Sequence, residues 1–143
     1  MTLFEYLNTI PTDPRQPPGP TNNPLKVFQQ DPKPGQVGLE PWAFVAEAPG
    51  NVFHAFFGTS DLMSRLITVT LYQSPTAEGN TPNRAQMGAI WHAVADAVKF
   101  VDEDVGSNQF VALHRQTEQA PTFDPQTKGL FAAVRFRMLY FRG

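Results

Sequence analysis

The sequence predicts an α+β fold: a mixed or antiparallel β-sheet covered by one main amphipathic helix, with a proline-rich N-terminal arm. Residues 66–72 and 130–141 alternate apolar and polar side chains with the period of two that is typical of half-buried strands. From Met87 to Val101, apolar residues recur every three or four positions, which predicts a helix with one buried face. Nine of the fourteen prolines lie between Pro11 and Pro41, a density that helix interiors and central strands do not tolerate.

The chain has 143 residues, about the length of one domain, and its composition changes near residue 40. We therefore predict a short helix plus a proline-rich extended arm over 1–40, and an α+β core domain over 41–143. The apolar positions of the short helix are Leu3, Phe4, Leu7 and Ile10. Pro11 ends this helix. The arm after it is either disordered or docks on a neighbouring subunit, with 25–28 as its anchor.

Three strands are predicted before the main helix. The apolar run 42–46 predicts a buried strand, and Pro49-Gly50-Asn51 predicts a turn. Residues 52–57 then predict the return strand of a hairpin, which Gly58 ends. Residues 66–72 form the third strand.

The main helix is predicted to begin after a cap at Thr81 or Asn83 and to run for about five turns across the sheet. Two strands, 110–115 and 130–141, close the chain. The loop between them is rich in Pro, Asp and Gly, so we expect a hairpin that stands out from the fold.

The sequence lacks the motifs of common active sites. With no cysteine there is no disulfide, thiolate metal site or cysteine nucleophile, and the three histidines do not form a zinc-binding helix pair. Neither a phosphate-binding glycine loop nor a GxSxG nucleophile turn occurs. We therefore expect no enzyme activity, no catalytic residue, no metal and no cofactor.

Charge and hydropathy limit the partners. The net charge of −2 gives no bulk attraction to nucleic acid or to an acidic membrane surface. No apolar run approaches the 18 residues of a membrane-spanning helix, and the N-terminus does not have the pattern of a signal peptide. We expect no membrane partner and no sequence-specific nucleic acid. The arginines of the last strand fit either the outer face of an ordinary strand or a stacking surface for single-stranded nucleic acid.

Aromatic residues and arginine together are typical of protein interfaces. An acidic run near the end of the helix is either a solvated surface or the counter-charge for these arginines in a neighbouring subunit. The candidate interface residues are Arg135, Arg137, Leu139 and Phe141 on the last strand, Phe53, Phe56 and Phe57 on the aromatic strand, and Asp102, Glu103 and Asp104 in the acidic run.

The layout from Trp42 to Gly143 resembles the tail-terminator and minor tail proteins of long-tailed bacteriophages. The matching features are strands up to Tyr72, a polar loop, a helix that begins Asn83-Arg84-Ala85-Gln86-Met87, and a final hairpin. That hairpin contains Phe123-Asp124-Pro125-Gln126-Thr127-Lys128-Gly129 and ends in an alternating strand.

The resemblance implies a structural virion protein, located in the tail or neck and assembled in the host cytoplasm. Its expected role is a tail-terminator subunit forming a ring, usually a hexamer, that caps the tail tube and joins it to the neck. The implied partners are further copies of the chain, the tail tube protein, and neck or head-completion proteins. Two other functions stay open: a neck or head-completion connector, and a small α+β domain that binds a ligand or carries an enzyme site in its sheet.

Overall fold

The computed structural model describes residues 1–17, 19–30, 32–33, 36–38, 40–53, 62–75, 83–102 and 109–141. In chain order the elements are α1 (Leu3–Thr9), β1 (Lys26–Phe28), β2 (Trp42–Phe53), β3 (Leu62–Gln73), α2 (Arg84–Ala95), a 3₁₀ turn (Asp96–Lys99), β4 (Gln109–Phe123) and β5 (Leu130–Phe141). The strands form one five-stranded sheet in the order β1-β2-β3-β5-β4. β1 is parallel to β2 and the other neighbours are antiparallel, so the predicted α+β fold and mixed sheet are confirmed.

The prediction that one main helix covers the sheet is wrong. α2 has 12 residues and ends at Ala95, where the 3₁₀ turn replaces the expected fourth and fifth turns. A helix of this length is about 18 Å long and about 10 Å wide. Five strands at a spacing of about 4.8 Å make a wider layer. α1 therefore lies in the same helix layer, and its Leu3, Leu7 and Ile10 join the hydrophobic core.

The core lies between this helix layer and one face of the sheet. Asn83 caps α2 by accepting a hydrogen bond from the Gln86 backbone N–H, which confirms one of the two predicted caps. The helix face that the periodicity predicts does pack on the sheet. Its residues Met87, Ile90 and Val94 are fully buried against strand residues that include Val69, Leu71, Val134 and Phe136.

Side chains of α1 tie the two helices together. Thr2 and Glu5 form a reciprocal capping box at the start of α1. The Tyr6 hydroxyl donates a hydrogen bond of 2.6 Å to the Ala93 carbonyl, and the Tyr6 ring stacks on Phe100. Burial raises the pKa of Tyr6, and the nearby charge of Asp96 raises it further. The phenol is therefore held in its neutral, donating form.

The structure does not show a separate extended arm. Leu25 is 1% exposed and belongs to the common core, and β1 adds three residues to the sheet beside β2. The Thr12 N–H donates to the Asn23 carbonyl and the Leu25 N–H to the Ile10 carbonyl, each at 2.8 Å. These bonds close a loop that holds several of the prolines, where a missing N–H costs little. The described part of this segment thus packs on its own chain.

The predicted hairpin at residues 49–51 is also wrong. β2 continues through these residues as one strand paired with β3, and the register shifts between Pro49 and Val52. The shift is a β-bulge, and glycine is common in bulges as it is in turns. Residues 52 and 53 end β2, and the rest of the predicted return strand, 54–57, lies outside the described residues.

Gly50 lies in the bulge, beside the Ser64 backbone of β3. A Cβ at this position would lie 2.5 Å from the Ser64 carbonyl oxygen, closer than real Cβ contacts allow. We expect Gly50→Ala to lower the free energy of unfolding by about 1–3 kcal/mol because backbone must move to admit the methyl group. Gly88→Ala is the matched control: on α2 the added Cβ meets no described atom within 4 Å, and alanine favours helix by about 1 kcal/mol. Urea unfolding of both variants checks this, and equal shifts of the two midpoints would contradict the bulge.

The last two strands belong to the sheet and do not stand out from it. β5 pairs with β3 over its whole length, from Leu130 opposite Gln73 to Phe141 opposite Leu62. β3 is as long as β5, so it leaves no part of β5 unpaired. β4 forms the outer edge, and its pairing with β5 shifts register at three points. Such irregular edge strands are poor templates for adding a further strand.

Candidate functional site

The sheet has a second face that no described helix or strand covers. Strand alternation places Ile67 and Val134 toward the helix layer, and their sequence neighbours toward this other face. We call it the open face. Its residues are Lys26, Phe28, Trp42, Phe44, Ala46, Ala48, Leu62, Ser64, Leu66, Thr68, Thr70, Tyr72, Ala112, His114, Thr117, Gln119, Thr122, Phe131, Ala133, Arg135, Arg137, Leu139 and Phe141. All of them except Ser64 are half-buried or exposed.

One end of the open face is aromatic. Trp42 and Tyr72 are cross-strand partners whose rings stack with centroids 4.6 Å apart. The Phe28 and Trp42 rings pack edge to face with their centroids 5.6 Å apart, and Phe131 is paired with Tyr72 on the next strand. Tyr72 is 38% exposed, a large fraction for an aromatic residue in the middle of a sheet. This end therefore offers stacked rings to a partner.

The other end of the open face carries arginine. Arg137 is paired with His114 and Arg135 with Thr117 across β4 and β5. In the amide orientation that satisfies both its oxygen and its nitrogen, the Gln116 side-chain oxygen accepts hydrogen bonds of 3.0 and 3.1 Å from Arg137 Nε and Nη2. The guanidinium is thereby oriented beside an open groove of about 690 Å³. The groove is lined by Leu62, His114, Arg115, Gln116, Thr117, Arg137 and Leu139.

Charge is unevenly distributed between the open face and the rest of the molecule. Lys26, Arg135 and Arg137 lie on the face, and none of its residues named above is Asp or Glu. Because the whole chain has a net charge of −2 and the face carries +3, the remainder carries −5. The Asp124 carboxylate lines a groove with Trp42, Tyr72 and Phe131. It accepts hydrogen bonds from the Gln126 N–H and the Thr127 hydroxyl, which lower its pKa. The open face is therefore both apolar and positively charged.

The last-strand candidates from the sequence lie together on this face. Arg135 is exposed, and Arg137, Leu139 and Phe141 are half-buried. Asp102 lies in the opposite layer: it follows the 3₁₀ turn, is exposed, and its N–H donates to the Met1 carbonyl at 2.8 Å. The remaining candidates cannot be placed by their side chains. Phe53 ends β2 opposite Leu62 but its side chain is outside the description, and Phe56, Phe57, Glu103 and Asp104 lie outside the described residues.

The sequence did not reveal the aromatic end of the face. The sequence predicts that Phe28 lies in an arm and Trp42 in a buried strand, whereas the parallel pairing of β1 and β2 brings the two together. One signal was available: Trp42 and Phe44 share a parity in β2, which places both on one face.

The helix layer presents a second surface, which we call the helix-junction surface: Met1, Glu5, Asp96, Phe100 and Asp102. Met1 and Phe100 are 54% and 59% exposed, the largest values among the large hydrophobic residues described. Asp96 and Asp102 lie at the start of the 3₁₀ turn and just after it, and Glu5 lies in the first turn of α1, where it accepts a hydrogen bond from the Thr2 N–H. Lys99 pairs with Asp96 at 3.3 Å, so the surface is apolar and its side chains carry a net charge of −2 with Lys99 included.

The described residues offer neither a metal site nor a membrane-spanning helix. Within the described ranges, no three His, Cys, Asp or Glu side chains are grouped so that they could hold a metal ion. None of the helices in those ranges has the length and apolar character needed to cross a membrane. What the described surfaces offer is contact: stacked rings, oriented guanidinium groups and a separate acidic patch.

No protein-family model matches the chain, and no curated protein matches it either.

Proposed function

We propose that this chain is a structural virion protein of a long-tailed bacteriophage, a tail-terminator subunit that forms a ring, capping the tail tube and joining it to the neck. The observation that carries the proposal is the open face of the sheet. A broad face with stacked aromatic rings and arginine, and with no described element over it, suits a subunit that acts by contact.

The order of elements supports the same proposal. From Trp42 onward the chain runs β2, β3, α2, β4 and β5, the layout on which the resemblance to tail-terminator and minor tail proteins rests. In the proposed particle the chain is not an enzyme and needs no cofactor. Its partners are further copies, in a ring that is usually a hexamer, the tail tube protein, and neck or head-completion proteins. Assembly takes place in the host cytoplasm.

Two different patches are needed by each subunit of a closed ring, one for each neighbour. The open face, with Arg135, Arg137, Leu139 and Phe141, is the proposed first patch. The aromatic residues Phe53, Phe56 and Phe57 are the proposed second patch. The acidic run 102–104 supplies counter-charge for the arginines.

Inactivating the gene in its phage tests this function. We expect electron micrographs of the lysate to show tails of uncontrolled length that are not joined to heads, and a plasmid copy of the gene to restore normal particles. Tails of normal length that fail to join heads would instead identify a neck connector. Normal virions without the gene product would rule out both roles.

One observation favours a second candidate, a small ligand-binding domain. Gln73 is 8% exposed, and its Oε1 has no hydrogen-bond partner among the described residues. It lines a polar groove of about 610 Å³ together with Thr12, Asp13, Asn22 and Gln86. For this candidate, native mass spectrometry of the purified chain should show a retained small polar molecule that Gln73→Leu loses. A mass equal to that of the bare chain would count against it.

A further inference from the structure

We propose that the open face binds the helix-junction surface of a second copy of this chain, so that copies associate head to tail. This inference rests on the proposed function only for its biological setting, because the association itself is a property of the purified chain. Three features of the molecule favour a second copy as the occupant of the open face.

The first feature is charge complementarity. The open face carries Lys26, Arg135 and Arg137, with the Asp124 carboxylate beside its aromatic end, whereas the helix-junction surface carries Glu5, Asp96 and Asp102, with Lys99 paired to Asp96. The side-chain charges are therefore opposite in sign, +2 on the first surface and −2 on the second. Within one subunit the two sets lie on opposite layers, so they cannot pair with each other. In a second copy the carboxylates can reach the arginines. Such pairs fix the orientation of the partner and exclude the like-charged alternative of two open faces meeting.

The second feature is that each surface has exposed apolar groups to bury. The stacked Trp42 and Tyr72 rings lie on one surface, and Phe100 and Met1 on the other. Phe100 is held by its stacking on Tyr6, so little side-chain freedom is lost when it packs against a partner. Aromatic anchors next to arginine are the usual centre of a protein interface.

The third feature is area. The open face is as long as a strand of 12 residues at about 3.3 Å per residue. Its long strands lie side by side across a width of about 20 Å, which gives an area of roughly 800 Å². A stable protein–protein interface buries about 800 Å² on each partner. The open face therefore has the size that one neighbouring subunit can cover.

Because the two surfaces differ and lie on opposite layers, the contact is heterologous. Contacts of this kind generate rings when the rotation closes, and open chains when it does not. A two-fold dimer through the open face alone would pair two faces of the same positive charge.

Two reciprocal variants test the inference. The face variant, Arg135→Glu with Arg137→Glu, reverses the charge of the open face. The junction variant, Asp96→Lys with Asp102→Lys, reverses that of the helix-junction surface. We expect the dissociation constant of self-association to rise by about 100-fold or more in each variant alone, because like charges then meet. An equimolar mixture of the two should assemble again, because both contacts are then complementary. Sedimentation velocity at several concentrations reads the result.

Circular dichroism and urea unfolding establish whether each variant is folded. A variant that does not fold is replaced by its milder form, Arg135→Gln with Arg137→Gln for the open face or Asp96→Asn with Asp102→Asn for the helix-junction surface. With the milder forms we expect each variant alone to associate more weakly than the unaltered chain. Association of the junction variant as tight as that of the unaltered chain would overturn head-to-tail binding and favour a symmetric contact. A labelled oligothymidylate bound by the unaltered chain and released by the face variant would assign the open face to single-stranded nucleic acid instead.

The outcomes for this inference and for the proposed function are separable. If the mixture assembles again and phage with the inactivated gene still gives normal virions, the contact is supported and the tail role is ruled out. Uncontrolled tail length without the gene, together with full rescue by the face variant, supports the tail role and removes this contact.

Discussion

Replacing Leu7 with alanine should lower the free energy of unfolding by about 2–5 kcal/mol, because a fully buried leucine loses its core contacts and leaves a cavity. Leu7 is 0% exposed and packs in the cluster that joins α1 to α2 and the sheet. The effect therefore measures whether the N-terminal helix is part of the folded unit. Urea denaturation followed by circular dichroism gives the value.

Phe4→Ala on the same helix is the matched control. Phe4 is 38% exposed, so its truncation removes less buried area and should cost about 1 kcal/mol or less. If Leu7→Ala and Phe4→Ala shift the urea midpoint equally little, α1 is not anchored in the core. The N-terminal segment would then be the separate arm that its proline content predicts.

Replacing Trp42 with alanine should raise the dissociation constant of self-association by about 30- to 1000-fold, the range expected when an interface anchor worth about 2–4 kcal/mol is removed. Trp42 stacks on Tyr72 and meets Phe28, so its loss removes the centre of the aromatic end of the open face. Sedimentation equilibrium measures the change.

Phe123→Ala is the control for this variant. Phe123 is 39% exposed, but its pairing with Leu130 places it on the opposite face of the sheet from the open face. We expect its dissociation constant to match that of the unaltered chain. A loss of association as large as that of Trp42→Ala would place the contact at the β4 edge.

Sequence patterns predicted the elements whose signal is local. The alternation in β3 and β5 and the helical period of α2 come from neighbouring residues that share one face, so they can be read without knowing the fold. β1 has only three residues, too few for a period, and it becomes a strand because Leu25 and Val27 pack on the core. The run Pro49-Gly50-Asn51 predicts a turn, and the same glycine serves a bulge, because both need a close approach of backbone.

Part of the open face could also be predicted from a local pattern. Arg135, Arg137, Leu139 and Phe141 alternate along one strand, so their common face follows from sequence alone. The aromatic end needs β1, β2, β3 and β5 to be aligned in register, and no local pattern contains that information. The helix-junction surface depends on how α1 docks beside the 3₁₀ turn, which is likewise set by packing.

In the assembled protein, we expect a second copy to cover the open face. Hydroxyl-radical footprinting with mass spectrometry, on the assembled protein and on dilute monomer, tests it most directly. We expect Trp42, Tyr72 and Phe131 on one surface and Phe100 on the other to react less in the assembly, while Phe123 reacts equally in both. Equal reactivity of Trp42, Tyr72 and Phe131 in the assembly and the monomer would contradict the claim.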